Sequence, residues 1–90
     1  MMNNSQELII FPCEFTIKVM GKNHNEFKER LLNSLLSQFN ELIILNKISS
    51  KLSANNNFIS VHLVVFVNSQ IQLDDIYRFI TAFEGVVFTL

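Results

Sequence analysis

Ninety residues with a formal charge of −1 make one domain, because so short a chain cannot bury two independent cores. An apolar fraction of 49% with a single proline excludes disorder. Seven basic residues scattered among eight acidic ones, with no run of either sign beyond two, argue against nucleic acid, which calls for a net basic domain or a Lys/Arg stripe.

Cys13 is the only cysteine, so neither an intramolecular disulfide nor a Cys-x-x-Cys metal or redox pair can form, and a reducing cytoplasm is the expected compartment. Met1 to Glu7 has no basic n-region and no apolar h-region. The longest apolar run, Leu63 to Val67, is far too short for a membrane span. No membrane association and no signal-directed export are expected.

Residues 1 to 10 read as a mobile N-terminal arm, polar at first and then apolar until Pro12, which cannot donate to a sheet ladder. Glu14 to Met20 alternates, with Phe15, Ile17 and Val19 on one face and Glu14, Thr16, Lys18 and Met20 on the other, the pattern of a half-buried strand. Gly21 ends it. Asn23 with Glu26 has the spacing of a helix start, and Phe27, Leu31, Leu32, Leu35, Leu36 and Phe39 share one side of a helix over about 24 to 39. Leu42 to Lys51 begins with four apolar residues that could continue a helix. Its β-branched pair and later alternation favour a strand of poorly determined register.

Ser53 to Asn57 is a turn, since asparagine tolerates the left-handed region. Phe58 to Val67 follows, the stretch that organises the chain. Its odd-numbered residues Ile59, Val61, Leu63, Val65 and Val67 are all aliphatic and must be buried together, for roughly 10 kcal/mol of gross burial. Ser69 and Gln72 then form a capping box. Leu73, Ile76, Tyr77, Phe79, Ile80 and Phe83 make a second apolar helix face, with Asp74 and Arg78 paired at i,i+4 opposite it. Gly85 follows the helix C-terminus, and Val86 to Leu90 closes as a strand with Val86, Phe88 and Leu90 inward.

The order is βαββαβ. Two helices with one apolar face each, joined by right-handed crossovers, lead to the ferredoxin-like α+β sandwich: a four-stranded antiparallel sheet in order 4-1-3-2 with both helices on one face.

Several stretches also resemble the YbeD-like family of small bacterial proteins of unknown function. They are Phe11-Pro12-Cys13-Glu14-Phe15, Ile17 to Gly21, Ser49-Ser50-Lys51, Phe58 to Val61, Gln72 to Arg78 and Val86 to Leu90. The chain departs from that family in its longer turn at Ser53 to Asn57 and in Phe58, where tyrosine is common. The resemblance implies a ferredoxin-like fold similar to ACT regulatory domains and no enzymatic activity. Some members carry a lipoate-regulator label, which rests on association.

Cys13 has no base placed beside it, and a structural thiol is the ordinary reading. His24 and His62 lack the neighbouring ligands that a metal site needs, so no metal and no cofactor are expected. Acylphosphatases share this fold, but the glycine-flanked arginine of their strand-to-helix loop is absent. The aromatic pattern by which RNA-recognition domains stack bases is missing from Ser60, His62 and Val64.

Two candidate sites remain. The uncovered sheet side, with Thr16, Lys18, Met20, Ser60, His62, Val64 and Phe66, joined by Phe58, Val87 and Thr89, is either an ordinary solvated surface or, as an edge strand could also be, a docking site for a protein or a second copy. The turn Gly21-Lys22-Asn23-His24 caps a helix or, in an ACT-like sensor, holds a small ligand.

Overall fold

A computed structural model describes residues 9–90, so most of the expected arm lies outside the described residues. The order is β1 (Cys13–Lys22), α1 (Phe27–Phe39), a single 3-10 turn (Leu45–Lys47), β2 (Ser49–Leu52), β3 (Phe58–Val67), α2 (Gln70–Ala82) and β4 (Val86–Thr89). The strands form one antiparallel sheet in the order β2-β3-β1-β4, which is the expected 4-1-3-2 from the other edge.

Alternation places the core as expected. The odd residues of β3 are buried, with Ile17 and Val19 of β1 beside them, under Phe27, Leu31 and Leu35 of α1 and Leu73, Ile76 and Ile80 of α2. β1 and β3 pair without a break from Cys13 opposite Val67 to Lys22 opposite Phe58. The even residues of both strands therefore share the side without helices.

Four local expectations are corrected. Helix α1 starts at Phe27 rather than near 24, because Asn25 and Glu26 take left-handed conformations (φ 53° and 55°) that turn the chain before the helix begins. Asn23 does not cap it. Its side-chain amide donates to the Asn56 carbonyl (2.9 Å) and its N–H to that of Asn57 (3.0 Å), tying this turn to the β2–β3 turn.

The stretch from Leu42 is not one strand. Ile43 bridges Val65 and is buried, and then the 3-10 turn intervenes before β2. The chain takes six steps from Ile43 to Ser49 while β3 takes three from Val65 to His62, so the register is reset between two short pairings. Without alternation in Leu42 to Leu45, nothing in the pattern marks that reset.

β4 carries a bulge. Met20 lies opposite Phe88 and Gly21 opposite Val86, leaving Val87 as the extra residue. Because side chains alternate with period two, one extra residue exchanges the faces beyond it: Phe88 and Leu90 come to the open side, and Thr89, opposite Val19, goes to the helix side. Arg78, finally, pairs with Asp75 (2.9 Å, i,i+3), while Asp74 accepts from the Gln70 amide (2.8 Å).

The α2 start is as expected. The Ser69 hydroxyl accepts from the Gln72 N–H (3.2 Å), while the Gln72 side-chain oxygen accepts from the N–H of Asn68 (2.7 Å), one residue before the cap, rather than from that of Ser69 itself.

Both glycines of the chain lie against the same ring. A Cβ on Gly21 would overlap the Phe27 ring, and one on Gly85, whose φ is +101°, would stand 2.8 Å from it. Gly21→Ala should therefore destabilise by about 1–3 kcal/mol through overpacking, read as a lower urea midpoint with unchanged slope.

Tyr77 donates its hydroxyl to the Leu90 carbonyl (3.0 Å) and packs edge-on against Phe15. Burial pushes its pKa above the ordinary tyrosine value. The fold thus favours the neutral phenol, a contribution complete below the unfolded value of about 10 and lost as pH rises from there toward the folded value. Tyr77→Phe should cost about 1 kcal/mol at neutral pH and flatten the stability loss above about pH 10, as urea melts across pH would measure.

Candidate interaction face

The open side of the sheet is built from the even residues of β1 and β3 with their neighbours on the flanking strands. In register order, Glu14 faces Phe66 and Thr16 faces Val64. Lys18 then lies between Leu90 and His62, with Ser49 beyond, and Met20 lies between Phe88 and Ser60, with Lys51 beyond. The last pair is Lys22 with Phe58. All seven expected surface residues share this side.

They do not form one apolar patch. Val64 and Phe66 make a cluster at one end, and Met20, Phe58, Val87 and Phe88 make another. Between them runs a polar band of Thr16, Lys18, His62, Ser60, Ser49 and Lys51. Phe58, Phe66 and Phe88 are 40%, 43% and 46% exposed, against 0% for Leu63 and Val65 on the buried side of β3.

The second cluster is concave. Met20, Phe58, Val87, Phe88 and Ser53 line a shallow, wholly apolar depression, and an adjoining one runs past Met20 and Ser60 to Lys51. The bulge creates it by bringing Phe88 beside Met20. Alternation from Val86 predicts Phe88 in the core; the lack of alternation in Val86-Val87-Phe88 is the one signal in the sequence of an irregular strand.

A charged link crosses the other end. Lys47, in the 3-10 turn outside β3, reaches over that strand to the Glu14 carboxylate on β1 (3.0 Å). Both side chains are about half exposed, so the pair orients Lys47 more than it stabilises the fold.

The turn Gly21-Lys22-Asn23-His24 is drawn shut. The Phe27 ring fills the space over Gly21, Asn23 is tied to the turn at Asn56 and Asn57, and the His24 N–H bonds back to the Lys22 carbonyl (2.9 Å). Lys22 and His24 point into solvent. The shallow recess beside this corner is lined by Asn25, Glu26, Arg30 and Glu84 and not by the turn itself.

Among the described residues no polar or charged side chain is buried, and no three of His, Cys, Asp and Glu converge as metal ligands. Cys13 is a half-buried free thiol opposite Val67. His62 lies in the polar band and His24 is exposed, far apart in the register. No helix among the described residues is long and apolar enough to cross a membrane.

Residues 6–90 match the family model described as a protein of unknown function, DUF493. A UPF0250 protein of Paraburkholderia phytofirmans is 36% identical over 77 residues, covering 86% of this chain and 85% of its own length. One of Neisseria gonorrhoeae is 36% identical over 83 residues, covering 92% and 90%. The solution structure of HP0495 from H. pylori superposes with a TM-score of 0.73 at 25% identity, over 91% of this chain and 85% of that one, and has the same fold. None of these names carries an enzymatic activity. The family resemblance read in Phe11 to Gly21 thus holds over nearly the whole chain, which belongs to the DUF493 family of uncharacterised bacterial proteins, the YbeD-like group.

Proposed function

We propose that this chain is a non-enzymatic docking module with a regulatory role, which binds another protein through the open face of its sheet. The observation that carries the reading is the placement of Phe58, Phe66 and Phe88 on the side without helices, each more than a third exposed, in a chain whose described residues bury no polar side chain. A contiguous exposed apolar cluster, as Met20, Phe58, Val87 and Phe88 make, marks a binding surface, whereas acid–base chemistry needs polar groups whose environment shifts them.

The face is a better docking surface than either sheet edge. β2 and β4 are four residues each, β2 is preceded by the 3-10 turn, and β4 is bulged. Short, interrupted edges are poor templates for an added strand. A ligand-sensing role at Gly21 to His24 is the weaker reading, because the Phe27 ring takes the room over Gly21 and the remaining turn residues are exposed.

Phe66→Asp and Phe58→Asp should leave circular dichroism unchanged and move the melting temperature by no more than a few degrees, of the order expected for surface substitutions. Leu63→Ala, on the opposite side of β3, should cost about 2–5 kcal/mol. Affinity capture from the native cell, wild type beside Phe66→Asp, should yield a partner that the variant loses. A variant that unfolds would place Phe66 in the core, and identical captures would remove the face from the proposal.

A further inference from the structure

The near-zero net charge conceals a segregation between the two layers. Among the described residues, Lys18, Lys22 and Lys51 stand on the open side of the sheet, with Lys47 reaching in from the 3-10 turn, against the one acidic side chain of Glu14. The helices and their connections hold Lys28, Arg30 and Arg78 against Glu26, Glu29, Glu41, Asp74, Asp75 and Glu84. One side is net basic and the other net acidic. Glu14 is engaged by Lys47, so on this side Lys18, Lys22 and Lys51 meet no carboxylate within salt-bridge distance among the described residues.

Those lysines stand beside the apolar depression. Lys51 is next to Ser60, which is next to Met20 at the depression's wall, and Lys22 is opposite Phe58 on its rim. We infer that the partner docked on this face is an acidic polypeptide segment, which seats one large apolar side chain between Met20, Phe58, Val87 and Phe88 and lays flanking carboxylates along Lys18, Lys22 and Lys51. The inference rests on the docking reading above and adds the chemistry of the occupant.

Two other polyanions fit less well. A second copy could bring its acidic helices to the basic sheet, but that contact joins two different surfaces, so it builds a ring or an open filament of many copies rather than a two-fold pair. Single-stranded nucleic acid would need aromatics on adjacent central rows to stack successive bases. The central-strand pairs Thr16–Val64, Lys18–His62 and Met20–Ser60 contain no phenylalanine, tyrosine or tryptophan, Phe88 lies beside them on the edge strand β4, and Phe58 and Phe66 stand at opposite ends of β3.

The test is selection of short random peptides displayed on phage against the wild-type chain, Lys18→Glu/Lys51→Glu and Phe88→Ser, each first shown folded by circular dichroism. Wild type should enrich peptides with a large apolar residue flanked by Asp or Glu, and affinity for the best of them should fall roughly tenfold between about 50 and 300 mM salt, as a screened charge contact does. The double charge reversal should switch the enriched flanks to Lys and Arg while keeping the apolar residue. Phe88→Ser should lose the apolar preference and keep the acidic one.

Enriched peptides without acidic residues that still require Phe58 and Phe66 would overturn the inference and leave the docking face standing. Enrichment of no peptide would overturn both. Two further measurements also decide against an acidic polypeptide: binding of a labelled single-stranded RNA that the charge reversal abolishes, or a particle size that grows with protein concentration at low salt.

Discussion

The Phe27 ring, set between Gly21 and Gly85, is the contact on which the remaining geometry depends. It joins the first residue of α1, the end of β1 and the turn that leads from α2 into β4. Phe83 packs against it edge-on at 6.2 Å, Phe79 follows Phe83, and Phe39 follows Phe79 at 5.6 Å, so an aromatic chain runs from this corner between the two helices. Close packing leaves no slack for a side chain at either glycine. With Gly85 held against the ring, Val86 must enter the sheet opposite Gly21. The bulge at Val87 then brings Phe88 beside Met20. A steric requirement on the helix side thus decides which phenylalanine appears on the open side.

What could be read from the amino acids follows from how many residues share one signal. β3 has ten residues at period two, and both of its faces were assigned correctly because a slip of one would have buried Ser60 and His62 and exposed five aliphatics. α2 was equally legible through Ser69, Gln72 and the apolar positions that follow. The failures fall where a single residue decides. One extra residue in β4 reversed the assignment of Phe88 and Leu90, two left-handed residues at Asn25 and Glu26 moved the start of α1, and the 3-10 turn divided a stretch that had no alternation to guide it. At Asn23 a tie to the Asn56–Asn57 turn outweighs a local preference too weak to resist it.

The candidate face was legible in membership and not in shape. Parity alone assigned Thr16, Lys18, Met20, Ser60, His62, Val64 and Phe66 to one side, because β1 and β3 pair through ten unbroken positions. The division into two apolar ends and a polar band depends on which rows lie side by side, and the depression depends on Phe88, which pairing and not periodicity places there. Asn23 shows the same limit. Its spacing to Glu26 reads as a cap, yet its partner is a turn more than thirty residues away.

The charge segregation explains why the sum over the chain misled about what surface a partner meets. A charge is felt over about one Debye length, roughly 8 Å at physiological ionic strength. The shortest principal extent of the molecule is 23 Å, so the acidic helices on one side cannot cancel the lysines on the other for anything approaching the sheet. Scattered in order along the chain, the basic residues at 18, 22, 47 and 51 look diluted by neighbours of opposite sign; folding gathers them because β1 and the β2 region flank β3 from its two sides. The residues that hold the fold and those that present this surface alternate along the same two strands, and each set can change with little effect on the other. A docking face written on alternate residues in that way can be altered by charge reversal while the core beneath it keeps its packing.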